Sequence, residues 1–325
     1  MLWKGIGFVP LRNLTYADAF DILTDKNIKT VVIATHNSPD GDAIGSICAL
    51  EKILKDLGKE VELIFQTRVC KKYGSIVGKD RANRMLYPKK KKYDLSILLD
   101  TSNENMTYSN IGKLGNRFMV IDHHNDRNIK CDYYLNNEDS STGIIIYEIF
   151  KNEAVFDEFV STCIYLSIIS DTDCFKNYNT DSKAYLVSYK MIKNNADFSL
   201  ANSIHNNISE NYIKLLSKTL NKIVFLDNKK ISYLIISEDD IRETKCSLKE
   251  VGKIIDFLKS ISSVETSILL IENNNSVVIR MRSTIIDCSK VMKEFGGGGH
   301  INSAAAIVRD KDVYDLKDEI IKLLF

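Results

Sequence analysis

Four of the five histidines in this chain, His36, His123, His124 and His300, sit in dense polar motifs. Three of them stand beside aspartates, in His36-Asn37-Ser38-Pro39-Asp40-Gly41-Asp42 and in Asp122-His123-His124. Imidazole and carboxylate together suit a hard or borderline divalent cation at neutral pH. Asp100 and Asp171 each end an apolar run, where a bare carboxylate is costly unless paired or metal-bound. The candidate metal ligands are therefore His36, Asp40, Asp42, Asp100, His123 and Asp171. Two ions roughly 3.5–4 Å apart suit phosphoryl hydrolysis, and Asp100 is the carboxylate chosen to bridge them. A single Asp after a strand is ordinarily a cap or a turn residue. It is the coincidence of several, with a paired His-His, that argues for a metal-dependent hydrolase. Asp126 and Asp173, close to the same motifs, are left out of the ligand set.

These groups need elements to carry them. Lys29 to Thr35, Glu60 to Phe65, Tyr93 to Leu99 and Arg117 to Ile121 are short apolar runs that read as buried strands. Helical spacing covers Ala43 to Leu57, stopped at Gly58, then Thr142 to Lys151 and Phe156 to Ser170. Strands alternating with helices predict an α/β fold, a mainly parallel sheet flanked by helices. Such sheets place ligands at the carboxyl ends of their strands, where Asp40, Asp42, Asp100, Asp122 and His123 fall. A helix starting at Ala43 would aim its positive end at the same crevice, with Gly45 and Ser46 small enough for close approach.

The pattern changes after a largely helical stretch from Ser182 to about Asn221. Strands are predicted over Lys222–Phe225, Ile231–Ile236, Glu265–Ile271 and Ser276–Met281, and helices over Ser247–Lys259 and Asp287–Phe295. This predicts a smaller α+β domain. The expected division is a catalytic domain over 1–200, a helical connector over 201–222 and a substrate-binding domain over 223–325. Gly296 to Gly299 would expose consecutive backbone N–H groups to a phosphate or base. Arg280 and Arg282 share one face of a strand, and Arg282 is the better candidate for bidentate phosphate binding.

Lys and Arg number 44 against 43 Asp and Glu, a formal net charge of +1. That balance argues against a long nucleic acid held by charge alone. The basic run Lys89 to Lys92 reads as a solvated loop. No apolar run approaches a membrane span, and Met1 to Pro10 does not read as a signal peptide. Seven scattered cysteines without a C-x-x-C pair suit a reducing cytoplasm, with Cys48 and Cys163 as small core residues.

The four motifs His36-x-x-Pro39-Asp40-Gly41-Asp42-Ala43-Ile44-Gly45-Ser46, Asp100-Thr101-Ser102, Ile121-Asp122-His123-His124 and Ser170-Asp171-Thr172 resemble, in order, those of the DHH phosphoesterase superfamily. Arg282-Ser283 and Phe295-Gly296-Gly297-Gly298-Gly299-His300 resemble the DHH-associated substrate-binding domain. The segment Ile301-Asn302-Ser303-Ala304-Ala305-Ala306 departs from the family's usual continuation. The resemblance implies two manganese ions, with Mg2+ or Co2+ as substitutes. His36, Asp40 and Asp100 would hold one ion; Asp42, Asp100, His123 and Asp171 would hold the other. Asp122 would orient a ligand imidazole, and His124 would meet the substrate as proton donor or phosphate contact. A water between the ions would attack phosphorus. Arg282, Gly297, Gly298, Gly299 and His300 would bind substrate.

The compact two-domain branch of this family cleaves very short oligonucleotides or linear dinucleotides such as pApA. Ring-opening of cyclic di-AMP and hydrolysis of 3′-phosphoadenosine 5′-phosphate or inorganic polyphosphate are the alternatives. A homodimer is the family-level expectation. Closure of the second domain over the metals would limit substrate length. A catalytically silent nucleotide sensor is the reading from another class, and the complete ligand set argues against it.

Overall fold

The computed structural model describes residues 13–124, 128–226 and 230–324. The amino-terminal stretch read for a leader and Asp126 lie outside the described residues. The chain divides into two compact units, Met1–Asn207 and Ile208–Phe325. The stretch 201–222 is split between them, its first seven residues in one unit and the rest in the other. Among the described residues no helix is long and apolar enough to cross a membrane.

The first unit runs α1 (Tyr16–Thr24), β1 (Thr30–Thr35), α2 (Gly41–Asp56), β2 (Glu60–Ile64), α3 (Gly74–Val77), β3 (Tyr93–Leu99), α4 (Ile111–Leu114), β4 (Gly115–Asp122), β5 (Tyr133–Asn136), α5 (Thr142–Phe150), α6 (Glu158–Asp171), α7 (Ser182–Lys193) and α8 (Phe198–Asn206). All five strands are parallel, in the order β2-β1-β3-β4-β5. A parallel sheet must be covered on both faces, which is why its strands read as nearly unbroken apolar runs. Alternate residues feed two cores. Val31, Ile33, Leu95, Ile97 and Met119 join the core of α2, α5 and α6, and Val32, Ala34, Leu98 and Val120 join the core on the other face. β5 was not legible, because four residues carry too little alternation. The basic run Lys89 to Lys92 precedes β3, at the end of the sheet away from Asp100, where Lys92 Nζ donates to the carbonyls of Lys113 and Gly115.

Two boundaries matter for the site. α2 starts at Gly41, not at Ala43, because Asp40 is its N-cap and accepts hydrogen bonds from the N–H groups of Asp42 and Ala43 at 3.0 and 3.1 Å. Asp171 is the last residue of α6, so it ends a helix rather than a strand. Gly45 does not face the crevice. A Cβ there would stand 2.3 Å from the carbonyl oxygen of Cys163 and 2.9 Å from the nitrogen of Ser167, so this glycine lets α2 touch α6.

The second unit runs α9 (Glu210–Thr219), β6 (Val224–Leu226), β7 (Ile231–Ile236), α10 (Glu238–Thr244), α11 (Leu248–Val251), α12 (Ile254–Lys259), β8 (Thr266–Asn273), β9 (Ser276–Ser283), α13 (Cys288–Lys293), β10 (Gly298–His300), β11 (Ser303–Arg309) and α14 (Val313–Leu324). Its mixed sheet has the order β10-β11-β9-β8-β7-β6, with only β7 and β8 parallel. The helix expected over 247–259 breaks at Gly252-Lys253 into α11 and α12. The glycine run is not a free cradle. The Gly296 and Gly297 N–H groups cap α13 through Lys293 O and Met292 O, with Gly296 at φ 70°. Gly298 and Gly299 pair with Ala305 and Ala304.

Gly45→Ala should therefore cost about 1–3 kcal/mol by overpacking α2 against α6. Urea unfolding measures it; an unchanged midpoint would contradict the close helix contact.

Candidate metal centre

β1 and β3 are neighbours whose sequence partners lie on opposite sides in the strand order, so the chain leaves their carboxyl ends in diverging directions. That divergence opens a crevice. His36 follows β1 directly, and Asp42 lies in the first turn of α2 with 1% of its surface exposed. Asp100 follows β3 in the left-handed region, at φ 62°, while its N–H keeps a bond to Ile121 O at 3.0 Å. Asp122 ends β4 and passes the chain to His123 and His124.

The six expected ligands come together as two groups of three, each with its ligand atoms within 4.8 Å of one another: His36, Asp40, Asp100 and Asp42, His123, Asp171. In the first, His36 Nε2 stands 3.6 Å from Asp100 Oδ2 and 3.8 Å from Asp40 Oδ1. In the second, His123 Nε2 stands 3.6 Å from Asp42 Oδ2 and 3.8 Å from Asp171 Oδ2. It is also 3.5 Å from Asp100 Oδ1, so Asp100 turns one oxygen to each group. These separations are longer than hydrogen bonds. They come close to the roughly 3.0–3.4 Å edges between ligands that share a cation at bonds of about 2.1 Å.

The tautomers point the same way. His36 Nδ1 is 2.9 Å from Asn37 O, and His123 Nδ1 is 3.0 Å from Asp139 O. A carbonyl only accepts, so each Nδ1 carries a proton and each Nε2 is left facing the carboxylates, where a proton or a cation must stand. His123 Nε2 is buried without a hydrogen-bond partner. A lone pair aimed at carboxylates has the wrong polarity unless a cation or proton lies between. The donor set therefore fits two divalent cations.

Charge shifts record the same crowding. Burial alone would lower His36, but Asp100 and Asp40 outweigh it and hold the imidazole up to about 11. Burial and the charge of Asp100 raise Asp42 well above the ordinary carboxylate range. Burial pushes Asp171 up to about 6, against the pull of His123. Asp100 is also desolvated, yet His123 and His36 win and hold it low.

Asp122 holds the ring of His124 rather than that of His123, and His124 forms a third candidate group with Asp100 and His123. Fully buried, Asp122 accepts the N–H groups of His123 and His124 and the hydroxyl of Ser102, and its Oδ1 lies 2.8 Å from His124 Nδ1. The imidazole it holds is that of His124, while the ring of His123 rests on Asp139 O. Burial would lower His124, but the bond to Asp122 raises it overall. Asp173, left out of the ligand set, pairs instead with His205 at 3.2 Å and Lys176 at 3.7 Å.

Sequence reasoning missed the residues that hold the ligands. Ser46 and Ser167 donate to Asp42 Oδ1 at 2.9 and 2.6 Å, Thr142 donates to Asp100 Oδ1 at 3.0 Å, and Asn179 donates to Asp171 Oδ2 at 3.0 Å. One signal was available: Ser167 interrupts the apolar run Leu166-Ser167-Ile168-Ile169 on a helix buried nearly all round. In the second unit, Arg282 on β9 meets Asp256 at 3.3 Å, and exposed His300 on β10 pairs with Ser303.

Profiles of two protein families match the chain: the DHH family, N-terminal domain, over residues 30–168 and the DHHA1 domain over 228–324. The chain belongs to the DHH family. This DHH-family chain is a hydrolytic enzyme of the phosphoesterase kind. It is 24% identical to the bifunctional oligoribonuclease and PAP phosphatase NrnA of Bacillus subtilis over 294 residues, 88% of this chain and 91% of that one. It is 28% identical over 157 residues to the probable manganese-dependent inorganic pyrophosphatase of Enterococcus faecalis, 45% of this chain and 49% of that one. The crystal structure of an exopolyphosphatase-related protein from Bacteroides fragilis shares the fold with a TM-score of 0.81 at 21% identity, covering 95% of this chain and 94% of that one.

Asp100→Ala removes an oxygen from both groups, so Mn2+ affinity should fall by more than about 100-fold, beyond what loss of an outer partner costs. Asp40→Ala should weaken only one of two ions. Calorimetric titration with Mn2+ separates the cases; wild-type affinity in Asp100→Ala would exclude the bridging role.

Proposed function

We propose that this DHH-family chain is a manganese-dependent phosphodiesterase that cleaves very short oligonucleotides or linear dinucleotides such as pApA to mononucleotides. The observation that carries the reading is the division of Asp100 between two three-residue groups, one oxygen toward the Nε2 of His36 and the other toward the Nε2 of His123. Two divalent cations bound there would offset the carboxylate charge and acidify an attacking water. The carboxylate-rich donor set with one imidazole in each group accommodates a divalent cation such as manganese, and the Enterococcus faecalis relative is named for manganese. Mg2+ or Co2+ would substitute.

His124 is suited to the leaving group. Asp122 fixes its Nδ1 and favours its charged form, so Nε2 can carry a proton to the departing oxygen. Tyr178 is suited to the base. It lies between Asn177 and Asn179, which both donate to Asp171, and the residue is 66% exposed. An aromatic face beside the ligands serves a nucleotide and does nothing for inorganic polyphosphate. The near-zero net charge supplies no track for a long polyanion. Hydrolysis of 3′-phosphoadenosine 5′-phosphate is the second reading, supported by the name of the Bacillus subtilis relative. In the second unit, Arg282, Gly297 to Gly299 and His300 remain the proposed substrate contacts.

The test is a panel with Mn2+: RNAs of two, five and twenty nucleotides, linear and cyclic di-AMP, 3′-phosphoadenosine 5′-phosphate and pyrophosphate. Linear dinucleotides should turn over fastest. Equal rates at all lengths, or activity on pyrophosphate alone, would reject the reading.

His124→Ala should retain both metals while kcat falls about 10²–10⁴-fold; full turnover would remove it from the chemistry. Tyr178→Ala should lower kcat/KM on pApA by roughly 5–150-fold, the range of one base–aromatic stack, with Mn2+ affinity unchanged. An equal loss on tripolyphosphate would exclude stacking.

A further inference from the structure

Four consecutive residues between β5 and α5, or opening α5, each reach a ligand of the second group. The carbonyl of Asp139 accepts from His123 Nδ1 at 3.0 Å. Ser140 exchanges hydrogen bonds with Asn179: its hydroxyl donates to Asn179 O at 2.6 Å, and Asn179 Nδ2 donates back to Ser140 O at 3.2 Å. That same Nδ2 reaches Asp171 Oδ2 at 3.0 Å. Ser141 Oγ lies 3.0 Å from Ser167 Oγ, which donates to Asp42 Oδ1 at 2.6 Å. Thr142 donates its N–H to Asp42 Oδ2 at 2.9 Å and its hydroxyl to Asp100 Oδ1 at 3.0 Å. Every member of the set His123, Asp171, Asp42 and Asp100 is thus held, directly or through one intermediary, by the strap Asp139-Ser140-Ser141-Thr142. Among the described residues the hydrogen bonds of this strap include none to His36 or Asp40.

The strap has an outer anchor. The side chain of Asp139 accepts from Lys183 Nζ at 2.6 Å, from the Tyr16 hydroxyl at 2.5 Å and from Asn137 Nδ2 at 3.2 Å. Lys183 also donates to Tyr16 at 3.2 Å. Tyr16 opens α1 and Lys183 lies in the first turn of α7, so two helices with no metal ligand of their own grip the residue whose carbonyl sets the His123 tautomer. The carboxylate of Asp139 is buried, which makes its three donors effective.

We infer that the Asp139–Thr142 strap, anchored by Tyr16 and Lys183, positions His123, Asp171 and Asp42 at one metal position and reaches the other only through the shared Asp100. This rests on the two-ion reading. Tyr16 and Lys183 are positioning residues: they act on the ion only through Asp139.

The experiment is Mn2+ titration by calorimetry, with electron paramagnetic resonance to distinguish a coupled pair from single ions. It uses the full chain, with Asp40→Ala and Asp171→Ala marking the two positions. Lys183→Met should weaken binding at the position marked by Asp171 by about 10–100-fold, the cost of losing an outer partner of a ligand. The position marked by Asp40 should keep its affinity, so that at limiting Mn2+ the coupled spectrum gives way to a single-ion one. Lys183→Arg, which keeps the charge, should restore the pair. Tyr16→Phe removes one anchor with less risk to folding and should show the same selectivity at smaller amplitude. Equal weakening at both positions, or wild-type affinity at both in Lys183→Met and Tyr16→Phe, would overturn the strap. A wild-type chain that binds a single ion would instead overturn the two-ion reading beneath it.

Discussion

The first unit is organised around acidic groups that are gathered out of water. Asp42, Asp100 and Asp122 are buried, and Asp171 is mostly so. Burying a carboxylate without compensation costs several kcal/mol. Two kinds of compensation are visible. Asp122 is satisfied by hydrogen-bond donors of the chain itself. Asp42 and Asp100 accept donors from Ser46, Ser167 and Thr142 on some lone pairs and turn the rest toward the Nε2 atoms of His36 and His123. A proton or a cation at those nitrogens completes that second arrangement.

The fold supplies the place. A β2-β1-β3-β4-β5 order puts the divergence of the chain between β1 and β3, so the loop after β1 and the residue after β3 face each other. Close helix packing then brings the remaining ligands in. Gly41 and Gly45 of α2 and Gly143 of α5 all meet α6, and a Cβ on any of them would fall within 2.5 Å of an α6 atom. That contact carries Ser167 to Asp42 and brings the end of α6, with Asp171, to the strand ends. The price of this approach is three positions without a side chain near the amino-terminal ends of α2 and α5.

Much of this was legible in sequence. Tyr93–Leu99 and Ile231–Ile236 are strands over the predicted residues because each is a short, largely apolar run with polar borders. The ligands were legible because imidazole and carboxylate stand out at the ends of such runs. Other features left no local trace. The Ala304-Ala305-Ala306 run in β11 has poor strand propensity, and its partner β9 decides its state. Gly296 to Gly299 looked like a free loop, yet two of its N–H groups cap α13. The Asp139–Thr142 strap was invisible because half its work is done by backbone atoms, and its partners come from across the first unit.

The histidines show how the backing atom assigns the role. His36 and His123 lean on backbone carbonyls, which accept a proton's hydrogen bond without a full negative charge. An imidazole so held turns Nε2 toward the carboxylates, the orientation from which it would meet a cation. His124 leans on the carboxylate of Asp122, whose charge stabilises the imidazolium. The rings of His123 and His124 are 4.2 Å apart and come from adjacent residues, so position alone does not separate them. What separates them is whether Nδ1 meets a dipole or a charge. The buried ring against the dipole suits a metal; the partly exposed ring against the charge suits proton transfer at the edge of the same centre.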